Sequence, residues 1–419
     1  MGMTMSEKIL ARASGQKEVK AGDIVEAAIN QGMTHCGGGP LFFRALADLN
    51  PKTLKAIDKL IVMIGHTMPP IAGRADSQHI VRKNVQKYHL ENNFYDSKYG
   101  IMHNVMMWKG HVRPGELIVA TDSHTTTMGV LGAFATGIGP TELAYAVTFG
   151  KIWLMVPETI KIVLKGQLQK HVFSKDIGLH LAGTYGTDMA QYKALEFTGD
   201  LVDHLSIDAR TTLCVMGVEL GAKAAMFPPD EKTIAYVRER TQKPFSPLFP
   251  DADAPYVQAI EVEANHLEPQ VACPHDVGNV KPIFEVEGTP IHQATIGTCT
   301  NGGYEDLEIA AKILQGRKVH PRVRFYITPA TAEVYRKAVA SGLAETLMKA
   351  EAILVNAQCG SCSGHIGVLS PGEVCLAAQN RNFRGRMGSP DSKIYLASPA
   401  TVAASAVEGI ITNPQKYLG

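Results

Sequence analysis

The sequence predicts an α/β fold, built as several α/β/α modules whose sheets are mostly parallel. Three observations predict it. Short apolar runs lead repeatedly into polar loops bearing glycine or histidine and then into helical stretches, the order expected of parallel sheets covered on both faces. The chain has 419 residues, too many for one ordinary core, so two or three such units are expected. A hydrophobic content of 45% with 19% charged residues is that of a soluble globular protein.

Taken in order, Ser6 before Glu-Lys-Ile-Leu reads as the cap of a first helix. Ile24, Val25, Ala28 and Ile29 fall at helical spacing and predict a second helix over 23–30. Glycines 37 to 39 read as a tight turn. A strand over 60–64 ends in Gly65-His66, and an amphipathic helix is expected over 77–92. The strand 117–120 runs straight into Thr121-Asp122-Ser123-His124. A glycine-spaced segment follows to residue 139, then a helix over 141–156, a strand over 158–164 and a helix over 213–226. Six prolines between 227 and 256 mark an exposed connection carrying one helix near 231–240. A regular series then resumes, with strands over 293–297, 323–327, 353–355, 374–377 and 393–396 and helices over 304–314, 330–341 and 400–409. The first two modules are thus expected in 1–285 and a third in 286–419.

The totals exclude several classes. A net charge of +1 points to neither a nucleic acid nor a membrane surface as partner. No apolar run approaches the roughly 20 residues a membrane helix needs. Residues 1–8 lack the basic-then-apolar layout of a signal peptide, which places the chain in the cytoplasm. Seven cysteines do not form a secreted disulfide framework. Cys36, Cys214, Cys273 and Cys375 are read as small core residues.

The other three carry chemistry. Cys359 and Cys362 form a CxxC between small residues just past the run Ile353-Leu354-Val355, read as a buried strand. Cys299 stands in a matching place, after Thr295-Ile296. Three thiols on two strand-end loops make a metal or cluster site one ligand short of closed, and an open position is what metal catalysis requires. A thioredoxin-like redox pair needs no third cysteine and opens a helix early in a small domain. A structural zinc held by Cys299, Cys359, Cys362 and His365 is permitted by the spacing, and so is an iron–sulfur cluster. His35, His66, His103 and His124 are expected at strand ends or glycine turns. Near Asp122 and Glu219 they suit imidazole–carboxylate pairs for acid–base work. Arg381 and Arg386, across a glycine turn, suit bidentate binding of a dicarboxylate or tricarboxylate.

Four motifs decide among these readings. TDSHTTTMG at 121–129, GTCTNG at 297–302, QCGSCSG at 358–364 and NRNFRGR at 380–386 resemble, in this order and over nearly the whole chain, the aconitase family. The resemblance is strongest to the large subunits of its two-subunit branch, which acts on isopropylmalate, homoaconitate or dimethylmalate. It implies an aconitase-like arrangement of modules around a cleft. It also implies a [4Fe-4S] cluster on Cys299, Cys359 and Cys362, with one iron free of protein ligands. His66, His103, Asp122, His124 and Glu219 fall on the family's catalytic positions. Ser123, Asn380, Arg381 and Arg386 fall on positions that contact substrate or cluster. The implied reaction removes and re-adds water on a branched hydroxy dicarboxylate. The family's base, a serine in a Gly-Ser-Ser-Arg loop, has no match in this sequence, so a small swivel-domain subunit is the expected partner. A non-catalytic iron–sulfur or zinc scaffold is the alternative from another class.

The chain also departs from the family pattern. Gly65 replaces an aspartate, which is expected to leave His66 without its neighbouring carboxylate and to lower its pKa relative to its relatives. Cys36 replaces another aspartate, Val215 an asparagine and Gly303 an arginine.

Overall fold

The computed structural model describes residues 2–362 and 364–419. Ser363, the residue after the CxxC motif, and Met1 lie outside the described residues. Three sheets make the framework, with a separate two-stranded ribbon.

The first sheet has five parallel strands in the order Phe94–Tyr95, Leu60–Met63, Gln31–His35, Leu117–Ala120, Phe134–Gly137. Successive side chains of a strand point to opposite faces, and here they enter two separate cores. Leu60, Val62, Leu117 and Val119 pack with Phe42, Leu46, Val81 and Val147. Ile61, Met63, Ile118 and Ala120 pack with Val105, Met106, Met128 and Val130. Because both faces are buried, the strands LIVM and LIVA read as unbroken apolar runs rather than as alternation. Each such side chain taken from water contributes about 1.5–3 kcal/mol.

The second sheet is also parallel, in the order Ala224–Met226, Ala194–Thr198, Thr159–Lys165, Gln258–Glu263. The third is mostly parallel. Val374–Ala378 and Arg324–Ile327 flank Gln293–Ile296, with Lys393–Leu396 and Ile353–Leu354 outside them. It also draws in two antiparallel strands from before residue 286, Gln270–Ala272 and Val280–Pro282. Helices Tyr304–Leu314 and Pro399–Glu408 share a core with Ala294, Ile296, Phe325 and Leu376.

Several expected elements differ. Residues Ile24–Ala28 form a strand, not a helix, paired antiparallel with Lys151–Met155. Its burial alternates, with Ile24 72% exposed and Val25 buried, so the true period is two. The helix expected over 141–156 is Pro140–Phe149. It ends where Gly150 takes a left-handed conformation, and the chain turns back as the ribbon's second strand. The helix expected over 213–226 is Ile207–Glu219, followed by the strand Ala224–Met226. Thr4, not Ser6, caps the first helix: its side chain accepts from Glu7 N while Glu7 reaches back to Thr4 N. The strand before the CxxC is an edge strand with Ile353 44% exposed, so it is not buried. The glycine turn at 37–39 opens a helix, Gly39–Leu49.

Candidate active site

Two carboxyl edges face one cleft, where ligands of parallel sheets are bound. From the first sheet come His35, the last residue of its strand, the Gly65-His66 loop after Leu60–Met63, and Thr121–His124 after Leu117–Ala120. From the third come Cys299 after Gln293–Ile296, the CxxC loop after Ile353–Leu354, and Asn380-Arg381 after Val374–Ala378. His103 arrives differently from expectation: it is the second residue of the helix Met102–Trp108, not a strand end or a turn. Glu219 closes the helix Ile207–Glu219.

These residues meet around a cavity of about 110 Å³ lined by His66, His103, Asp122, Ser123, His124, Cys299, Cys359, Cys362, Arg381 and Arg386. Asp122 is the hub of its acid–base wall. Its Oδ1 lies 3.1 Å from His103 Nε2 and accepts from the backbone N of His124 at 2.8 Å. Its Oδ2 lies 3.5 Å from His35 Nε2 and 3.7 Å from His66 Nε2. Burial pushes the Asp122 carboxyl up, but the surrounding histidines outweigh it and hold the group well below the usual carboxylate range. Burial wins at His103, whose pKa is pushed down against the pull of Asp122. At His66 burial is outweighed by Cys359 and Asp122, and the pKa is raised well above that of an ordinary histidine. The expectation that Gly65 leaves His66 without an anion is therefore corrected: Asp122 reaches it from another loop.

A second pair stands beside the first. His124 Nε2 is 2.8 Å from Glu219 Oε1. Arg381 Nε donates to both Glu219 oxygens at 3.0 Å, and its Nη2 is 3.4 Å from Ser123 Oγ. Burial raises Glu219, but His124 and Arg381 more than offset this and keep it below the usual range. Asn380 links the pair to the sulfurs, its Nδ2 lying 3.1 Å from His124 Nε2 and 3.3 Å from Cys299 Sγ.

The sulfur wall has donors aimed at it. Besides Asn380 on Cys299, Arg386 Nη2 lies 3.4 Å from Cys362 Sγ while its Nε donates to Cys362 O at 2.7 Å. All three thiols are buried and free of disulfides. Burial and the neighbouring cysteines push the Cys299 thiol up, and burial does the same to Cys362. Both therefore call for a positive group to hold them as thiolates. Among the described residues, the group of three metal-ligating side chains whose donor atoms all lie within 4.8 Å of one another is His35, Cys36 and His66. His365, the fourth ligand of the zinc alternative, lines a different cavity and its Nδ1 lies 3.0 Å from Thr67 Oγ1.

Three supporting residues had no role assigned from the sequence. Gln358 exchanges two 2.9 Å hydrogen bonds with the backbone of Met68, tying the CxxC loop to the His66 loop. Lys175, fully buried, donates to Gln379 O at 2.7 Å, and burial pushes its pKa down to about 8. Cys36, read as a core residue, is buried in the core and also lies 3.7 Å from His66 Nδ1. The reading of Cys214 and Cys375 as core residues agrees with their complete burial. Of the departures, Val215 is buried in the helix that carries Glu219, and Gly303 caps the helix Tyr304–Leu314 with its Cα against the Asp208 carboxylate.

Comparison with known proteins bears on this site directly. Residues 48–409 match the model of the aconitase family (aconitate hydratase). The chain belongs to the aconitase family. Among its curated relatives, the 3-isopropylmalate dehydratase large subunit 1 of Methanopyrus kandleri is 47% identical over all of both chains. The "Probable methanogen homoaconitase large subunit" of Methanothermobacter thermautotrophicus is 45% identical over 100% of this chain and 99% of its own. The 3-isopropylmalate dehydratase large subunit of Aquifex aeolicus is 42% identical over 100% and 98%. The crystal structure of Thermococcus kodakaraensis aconitase X in its holo form matches with a TM-score of 0.50 and 14% identity, covering 85% of this chain and 84% of that one. At that identity the likeness speaks to the fold alone. As an aconitase-family member the chain is a hydro-lyase. Among the described residues no helix is long and apolar enough to cross a membrane.

Proposed function

We propose that the chain is the large subunit of a cytoplasmic 3-isopropylmalate dehydratase, moving a hydroxyl between adjacent carbons of a branched dicarboxylate by removing and re-adding water. The observation that carries the reading is the cavity on which three cysteines, two arginines, three histidines and Asp122 converge, with Glu219 behind His124. Relatives named 3-isopropylmalate dehydratase large subunit, matched end to end, supply the substrate.

Cys299, Cys359 and Cys362 would hold a [4Fe-4S] cluster, which when bound supplies Lewis acidity to the substrate hydroxyl through an iron without a protein ligand. The chain's own groups do the rest. Arg381 and Arg386 bind carboxylates, with Ser123 beside Arg381. His66, facing Asp122 at the edge of the sulfur wall, hands a proton to the departing hydroxyl. Asp122 keeps His103 oriented, while Glu219 does the same for His124. The base that takes the carbon-bound proton comes from a small subunit carrying a Gly-Ser-Ser-Arg loop, in keeping with the large-subunit names of the relatives.

Anaerobic reconstitution with a small subunit tests this. The expected result is four irons with sulfide per chain, and hydration of the unsaturated dicarboxylate that 3-isopropylmalate gives on losing water. One tightly held zinc without sulfide would favour the scaffold reading. Hydration of the longer tricarboxylate analogue alone would favour homoaconitase, the name of a relative 45% identical. Turnover by the purified chain without any partner would sink the two-subunit part.

A further inference from the structure

Two features of the first sheet's carboxyl edge meet at one histidine. At position 65 a carboxylate has no room, because a Cβ there would press into the carbonyl oxygen of Gly100. At position 36 stands a cysteine whose sulfur lies 3.7 Å from His66 Nδ1. The ring's other nitrogen, Nε2, faces Asp122 Oδ2 at 3.7 Å. His66 is therefore flanked at both nitrogens by groups able to accept from it, a sulfur on one side and an oxygen on the other. Cys36 is 6% exposed. It lines a cavity of about 210 Å³ that shares His66 and Arg386 with the site cavity.

His35, Cys36 and His66 lie close enough together to suggest a metal ion, but His35 argues against one. Its Nε2 lies 3.0 Å from Thr121 O, and its Nδ1 accepts from Gly37 N at 3.0 Å. Neither nitrogen is left to face an ion, and two ligands remain. The paired sulfur and imidazole are then the feature to explain. Burial pushes the Cys36 thiol up, but the adjacent His66 imidazole draws it the other way.

We propose that Cys36 is the positioning residue of His66, its sulfur accepting at Nδ1 from the neighbouring strand end while Asp122 stands at Nε2. The role rests on the hydro-lyase reading, in which His66 passes a proton to the leaving hydroxyl. It makes this site one that a small alkylating reagent can silence through a sulfur that binds neither substrate nor metal.

Two measurements test it, one of them independent of turnover. Iodoacetamide labelling of the full chain near neutral pH, mapped by peptide mass spectrometry, compares Cys36 with Cys273. The latter is 8% exposed and its thiol is pushed up by burial. Cys36 should label at least about tenfold faster, because the thiolate is the nucleophile, and His66→Gln should remove most of that advantage. Equal rates, or a rate indifferent to His66→Gln, would overturn the pairing. In the reconstituted two-subunit complex, Cys36→Ala should lower kcat by about 10–100-fold with KM within about twofold, and Cys36→Asp should restore most of kcat. Full kcat in Cys36→Ala, or Cys36→Asp as poor as alanine, would overturn the positioning role. A wild-type complex that hydrates nothing would defeat the proposed function instead, and the labelling result would still decide whether Cys36 and His66 are paired.

Discussion

Strand ends of the first sheet carry His35, His66, Asp122 and His124, whereas those of the third carry Cys299, Cys359, Cys362, Asn380 and Arg381. The same architectural device thus delivers proton-holding groups on one wall and sulfur with guanidinium on the other. Contacts that cross between them include Asn380 on His124, Arg381 on Ser123, Cys359 N donating to His66 O, and Gln358 on the backbone of Met68. Under the proposed function, metal capture belongs chiefly to one wall and proton handling to the other, and the two are expected to fail separately.

The largest effect should come from the sulfur wall. Cys299→Ser and Cys359→Ser should abolish cluster assembly, read as iron and sulfide content, while Cys375→Ser, at the start of the strand Val374–Ala378 and not lining the cavity, should leave it intact. Unchanged iron in the first two would mean the ligands are misassigned. Next, Asp122→Asn removes the charge shared by His103, His35 and His66. It should cost about 10²–10⁴-fold in turnover with iron and sulfide unchanged; loss of both together would erase the division between walls. Arg381→Lys keeps a cation but breaks the two-oxygen grip on Glu219. A rise in KM of about tenfold is expected, one charge-assisted hydrogen bond being worth roughly 1.5–3 kcal/mol.

The smallest effect concerns the framework behind the walls. Asp176, fully buried, accepts from Gln270 N at 2.9 Å and Phe173 N at 2.8 Å, joining its helix to the third sheet. Burial raises its pKa to about 7. A carboxyl raised on folding contributes stability that is present below its unfolded pKa of about 4 and lost as pH rises through about 7. Asp176→Asn should flatten that part of the thermal-stability profile, and an unchanged slope between those pH values would show that another group sets it.

Where a segment's own pattern decided its structure, the sequence could be read. The helix Tyr304–Leu314 and the strands Leu117–Ala120 and Lys393–Leu396 stand where periodicity and apolar runs place them. The strand Gln31–His35 was missed because QGMTH is polar in composition; tertiary burial on both sides makes it a central strand. Ile24–Ala28 misled because five residues of mixed apolar character fit either period. In the site, the motifs named the side chains but not their partners. Asp122 meets histidines 19, 56 and 87 positions away in sequence, and no local pattern encodes such a meeting. The contact of Cys36 with His66 was illegible for the same reason, since it is created by the pairing of Gln31–His35 with Leu60–Met63.

Gly65 also sets a limit on tolerance. With the Gly100 carbonyl occupying the place of any side chain there, even alanine at position 65 would have to push the chain at 100–102 aside, so the smallest substitution in the loop should disturb the start of the helix that carries His103.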